Sequence, residues 1–199
     1  MTIEEFNALP GYQQRVLIAK DVIKQINARK YVAQAGIYCN INDADFTKDV
    51  TDGSSAQVKN RLDSIDKCTV CAQGALFMST IGFANAFQVR SFKTDPWRNG
   101  VVAPAEKVKE RLSKVFDDYQ QAIIETAFEG RDVNEQLKRL FKLTFKSNET
   151  IRASYNLLVN SLKDYYHQYD NAESRLLGIM RNIIRNDGTF VPFTSKIRK

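Results

Sequence analysis

Cys68-x-x-Cys71 places two thiols three residues apart, a spacing that grips a metal ion or cycles through a disulfide in proteins built for either task. With Cys39 and His167 it would complete a zinc set of three cysteines and one histidine. Zinc ribbons supply their ligands as two close pairs on turns, whereas Cys39 and His167 each stand alone in the chain, so no bound metal and no cofactor is expected. A redox pair needs an exposed thiol after a thioredoxin-like strand. Cys71 instead opens an apolar run, which favours a buried structural cysteine. His167, the one histidine, lies in Tyr165-Tyr166-His167-Gln168-Tyr169. A single imidazole rules out histidine-pair metal sites, and its place at a helix end favours a solvated side chain over a catalytic base.

Carboxylates offer a second chemistry. Gln121, Glu125 and Glu129 fall at i, i+4 and i+8, one helix face, with Asp118 close by. Two carboxylates on one face can hold a divalent cation or share acid and base roles, the basis of a metal-dependent enzyme. The plainer alternative is a solvated acidic face, because Lys107, Lys109 and Lys114 precede it as ordinary charge mixing. No phosphate-cradling glycine loop and no GxSxG nucleophile turn occurs, so the balance leans away from an enzyme.

Basic residues are the third. Lys138, Lys142 and Lys146 repeat every four residues with Arg139 beside them, and Leu137, Leu140, Phe141, Thr144 and Phe145 are expected on the opposite, buried face. Arg175, Arg181 and Arg185 would extend this surface, and Lys196, Arg198 and Lys199 close the chain. Trp97, the only tryptophan, has Arg90, Lys93 and Arg98 around it. Such a group can stack a base and neutralise its phosphate, although a loop tryptophan also serves to plug its own core. The net charge of +6 has an uneven distribution: residues 131–199 hold 13 basic against 7 acidic side chains, and the two preceding segments, 1–100 and 101–130, cancel each other. A basic excess attracts phosphate-bearing partners and says nothing of fold.

The elements that must position these groups are mostly helical. A chain of 199 residues, 43% apolar and 26% charged, can bury its own core without a disulfide staple. Thr2 and Glu5 have the spacing of a capping box, Leu9-Pro10-Gly11 bends the chain, and Val16, Ala19, Ile23 and Ile26 mark an amphipathic helix from Tyr12 to Arg29. Tyr31 to Ile41, broken at Gln34-Ala35-Gly36, reads as a small hairpin. Residues 42–55, with Asp43, Asp45, Asp49 and Asp52, read as a loop, and 57–65 as a short polar helix. Cys68 to Ser79 suits a buried helix in which Gly74 gives up helix propensity to let another backbone approach. Residues 85–103 look irregular or weakly extended, with a turn signal at Asn99-Gly100. Pro104 starts a helix running to about Asp117, and Gly130 stops another over Tyr119 to Phe128. Asp132, Ser147 or Asn148, and Asn171 are caps for helices reaching Phe145, about Tyr169 and about Gly188. The expected fold is mainly α, a single multi-helix domain over residues 1–199 with a minor β-hairpin. The odd number of cysteines and the N-terminus, without a basic leader or apolar run, point to a reducing cytosolic setting and to no membrane span.

Cys71-Ala72-Gln73-Gly74-Ala75-Leu76, preceded by Lys30-Tyr31 and the Gly36-x-Tyr38 step, resembles a motif of small uncharacterised accessory proteins of tailed phages and some bacteria. Gln120 to Glu129 and Ile179 to Phe190 resemble the same group, so the likeness touches about half of the chain. It carries no assigned active site. It implies an accessory protein that acts by binding, including capture of a nucleotide-like signal in host defence. The expectation is therefore a non-enzymatic protein sequestering a small anionic, nucleotide-like ligand through Arg90, Lys93, Trp97, Arg98, Lys138, Arg139, Lys142 and Lys146, as a homo-oligomer. Association with nucleic acid through the basic helix stripe is the alternative partner.

Overall fold

Thr2 Oγ1 accepts from the Glu5 N–H at 3.1 Å and Glu5 Oε2 accepts from the Thr2 N–H at 2.7 Å, so the expected capping box starts helix α1 (Ile3–Ala8). The computed structural model describes residues 2–41, 67–84, 93–95, 100–103, 105–130, 135–143 and 148–193. Pro10 opens α2 (Gly11–Asn27), which buries Ile18, Ala19, Val22 and Ile26 along one stripe. It ends in a Schellman turn: Lys30 N donates to Gln25 O and Arg29 N to Ile26 O, with Arg29 left-handed at φ 61°. Glycine takes that conformation without a Cβ clash. Arg29→Gly should therefore stabilise the protein by roughly 1 kcal/mol, since the exposed Arg29–Glu173 ion pair that it removes contributes little. A thermal midpoint higher by about 2–4 °C checks this.

Among the described residues five short strands follow the order β1-β3-β2-β5-β4, with β1 (Tyr31–Ala33), β2 (Cys39–Ile41), β3 (Cys68–Val70), β4 (Lys93–Asp95) and β5 (Gly100–Val102). The expected hairpin within residues 31–41 is not formed. β3 lies between the two arms, parallel to β1 with Tyr31 beside Cys68, and antiparallel to β2 with Cys39 beside Val70. The β-branched and buried residues of β3 fill the gap that a direct pairing would have closed. Cys68 to Val70 is accordingly strand and not the start of a helix. Lys93–Asp95 and Gly100–Val102, in the segment read as irregular or weakly extended, pair antiparallel, with Asp95 beside Gly100.

Helix α3 (Ala72–Ala84) is apolar on all sides and is the centre of the molecule, with α1, α2, α4 (Ala105–Leu112) and α5 (Asp118–Glu129) packed against it. Phe77 and Leu76 are fully buried there, each worth about 1.5–3 kcal/mol by burial. The helix expected after Pro104 stops at Leu112, and its last turn loosens before Asp117 caps α5 through the Gln120 N–H at 2.7 Å. Gly130 ends α5 in the left-handed region, as its position in the chain suggests. α6 (Glu135–Leu140) is shorter than expected and does not reach Phe145. Asn148 and Asn171 cap α7 (Glu149–His167) and α8 (Ala172–Arg185). The chain is thus mainly α with a minor sheet, and among the described residues no helix is long and apolar enough to cross a membrane. The expected loop at 42–55, the helix at 57–65, Pro104, Asp132 and Ser147 lie outside the described residues.

Candidate functional site

The connection from β1 to β2 must step over β3, and it does so as an arch across the start of α3. Gln34 N donates to Val70 O and Cys71 N to Ile37 O at 2.6 Å, tying the arch to the strand end. Gly36, at φ 80°, turns its N–H onto the Glu129 carboxylate at 2.8 and 3.1 Å. The Tyr38 hydroxyl donates to Glu125 Oε1 at 2.8 Å. A Cβ on Gly74 would run into the Tyr38 carbonyl, so the close backbone approach expected of that glycine takes place here. Gln73, 1% exposed, donates from Nε2 to Gln121 O at 3.0 Å and to Glu125 Oε2 at 3.2 Å, and Lys109 Nζ lies 3.8 Å from the same oxygen. Glu125 and Glu129, candidates for a metal or an acid and base pair, are therefore the polar clamp of the arch. Asp118 sits at the exposed start of α5, away from this clamp.

The three cysteines are buried thiols. Cys71 stands at the start of α3, where its Sγ accepts from the Gly74 N–H at 3.5 Å. A helix N-terminus ordinarily lowers a thiol. Burial outweighs it, and with Glu129 and Glu125 nearby the Cys71 thiol is pushed up to about 12. The contact with Cys68 and burial also push Cys39 well above the ordinary thiol range. Among the described residues no group of three or more His, Cys, Asp or Glu side chains could hold a metal ion, so Cys39, Cys68, Cys71 and His167 do not form a zinc set. His167 is exposed at the end of α7, edge-on to Tyr166. A disulfide reagent at pH 8 should leave all three thiols untouched in the native protein and label all three in denaturant. Because a raised folded value favours the folded state only below the unfolded thiol range, stability should decline as pH rises from about 9 through 12.

The basic residues divide. Arg175 is buried, not an outer extension of the basic surface: its Nη1 donates to Phe128 O at 2.8 Å and its guanidinium stacks 3.7 Å from the Tyr166 ring centre, closing the negative end of α5. Arg181 and Arg185 are exposed on α8. Lys138, Arg139 and Lys142 are exposed, but not as a straight helical stripe, because α6 ends at Leu140. Leu143 N donates to Lys138 O and Lys142 N to Arg139 O, a Schellman turn with Lys142 left-handed at φ 50°. Leu140, expected in the buried face, is 37% exposed, while Leu137 is buried and Phe141 half-buried. The backbone of Lys93 lies in β4; Arg90, Trp97, Arg98 and Lys146, with Thr144, Phe145, Lys196, Arg198 and Lys199, lie outside the described residues.

The turn that breaks the stripe places Phe141 between two tyrosines from other helices. Tyr119 of α5 lies 6.4 Å from Phe141 between ring centres, and Tyr155 of α7 lies 5.5 Å from it, edge to face. Tyr119 remains 38% exposed. Lys138, Arg139 and Lys142 flank Phe141 in the chain, so an aromatic ladder and three cations share the end of α6. Neither a family model, nor a curated protein, nor a solved structure matches this chain. The ladder was not legible in the sequence, because its rings come from segments more than ten residues apart with no shared period. No local spacing could have pointed to it.

Proposed function

We propose that the chain is a non-enzymatic binding protein that holds a small anionic, nucleotide-like ligand at the end of α6. The observation that carries the reading is the Tyr119–Phe141–Tyr155 ladder flanked by Lys138, Arg139 and Lys142. Aromatic faces stack a nucleobase at about 1–3 kcal/mol per base, and a guanidinium with two ammonium groups meets its phosphates. The engagement of Glu125 and Glu129 in the arch supports binding over metal-dependent turnover. The resemblance to phage accessory proteins supports sequestration as the purpose of such binding, with the ligand held and released unchanged.

The test is a thermal titration of the full chain with adenosine diphosphate, cyclic AMP and a cyclic dinucleotide. A ligand at about 100 times its Kd adds about 2.7 kcal/mol, which raises the midpoint of a domain this size by about 5–10 °C. No shift from any of the three, up to millimolar ligand, would overturn the reading.

A further inference from the structure

Large apolar side chains left in contact with solvent gather around the ring ladder. Tyr119 is 38% exposed, Leu140, next to Phe141, is 37% exposed, and Ile151 is 41% exposed. Ile151 lies four residues before Tyr155 on α7, so the two share a helix face. The contacts of the Phe141 ring with Tyr119 and Tyr155 bring α5, the end of α6 and α7 together at this point. A nucleobase covers ring faces by stacking. It leaves unexplained the two aliphatic side chains, Leu140 and Ile151, held out in water beside the rings. Exposed apolar groups clustered within a polar rim mark a surface that another macromolecule covers.

The rim is basic. Lys138 lies one helical turn before Phe141, whose N–H donates to Leu137 O, and Arg152 lies one turn before Tyr155. Arg139 and Lys142 belong to the same short stretch as Lys138, and all of these cations are exposed. Asp118 and Glu149 are the exposed acids beside them, and Asp117 is engaged in capping α5. A second copy docked here about a two-fold axis would set the same cations against themselves. A bilayer calls for a continuous apolar helix face, whereas Ile151 stands among exposed Thr150, Arg152 and Ser154. The surface is built from helices, so a partner meets it side chain by side chain and not as an added strand. Charge and apolar content together favour an acidic segment whose apolar residues recur every three or four positions.

We propose that the apolar surface around Leu140 and Ile151, with its rim of Lys138, Arg139, Lys142 and Arg152, docks an acidic amphipathic helix of a partner protein. The surface overlaps the ladder assigned above to a nucleotide but does not rest on that reading, because Leu140 and Ile151 serve the helix alone.

A fluorescein-labelled synthetic peptide, with leucines at helical spacing on one face and glutamates on the other, is titrated against the full chain by fluorescence anisotropy. Binding with a Kd on the order of ten micromolar is expected, weakening as salt rises. The same pattern with lysine in place of glutamate should not bind, and a scrambled glutamate peptide should bind at least about tenfold more weakly. Leu140→Ser with Ile151→Ser should lower peptide affinity by at least about tenfold. The melting midpoint of this serine pair should stay within about 2 °C of the wild type, since both side chains already face water. Arg152→Glu, an independent variant, should weaken the peptide by a similar factor. The serine pair should leave any nucleotide-induced thermal shift unchanged, so failure of nucleotide binding and failure of peptide binding are read separately. Absence of peptide binding, equal binding of the lysine or scrambled peptide, or full affinity in both variants overturns the proposal. So does capture of phosphatidylglycerol vesicles in preference to the peptide, which assigns the face to a lipid surface. A dimer in sedimentation that the serine pair disperses overturns it as well, by assigning the face to a second copy.

Discussion

Gly74→Ala should destabilise the protein by about 3 kcal/mol or more and lower its thermal midpoint by roughly 6–12 °C. Helix propensity alone predicts the opposite sign, since alanine in a helix interior is better than glycine by about 1 kcal/mol. The steric term wins because the new Cβ meets a backbone carbonyl, that of Tyr38, and not the end of a side chain that could rotate away. Relief requires lifting the arch, which strains the Cys71–Ile37 hydrogen bond and pulls the Tyr38 hydroxyl from Glu125. Gly82 is the control on the same helix. A Cβ there meets nothing within 4 Å, so Gly82→Ala should stabilise by up to about 1 kcal/mol. Melting curves of the two variants followed by circular dichroism decide the matter. Equal, small upward shifts in both would mean that the arch does not press on α3.

The second large effect concerns the α6 end. Replacing Lys138, Arg139 and Lys142 together by glutamate turns three positive charges into three negative ones beside the ladder, a change of six charges. Each lost charge-assisted hydrogen bond is worth about 1.5–3 kcal/mol, and repulsion of an anion adds to it. Nucleotide affinity should therefore fall by at least about 100-fold. The fold should tolerate the change, since these side chains are exposed and the Schellman turn is made by backbone groups.

Several helix starts and stops were readable from a local chemical signal, although the Asp117 cap of α5 reads in the sequence as the end of the preceding helix. Thr2 with Glu5, Asn148, Asn171 and Gly130 all act at their own positions, because a cap is satisfied by atoms within a few residues. The role of Gly74 was readable for the same reason: a glycine inside an apolar helix has few explanations besides a close neighbour. Pairing between distant segments was not. Nothing in Tyr31 to Ile41 shows that β3, almost thirty residues later, will separate its two arms. The apolar alternation of Cys68 to Val70 is too short to distinguish strand from helix. The carboxylates at 125 and 129 were correctly placed on one face, but whether that face meets solvent, metal or the arch depends on a contact across about ninety residues. Arg175 looked like surface charge and is instead a buried cap of another helix, which composition cannot reveal. Two reciprocal amide clamps, Gln120 with Phe190 and Asn182 with Val191, pin the chain after α8 and were equally invisible in the sequence.

Isothermal titration of the wild-type chain and of the triple glutamate variant with the nucleotide that gives the largest thermal shift is the most direct test of ligand capture at the end of α6. Stoichiometric binding by the wild type, nucleotide recovered chemically unchanged, and affinity lower by at least about 100-fold in the variant are expected. Equal affinity in the two proteins, or conversion of the nucleotide during the titration, would contradict ligand capture there.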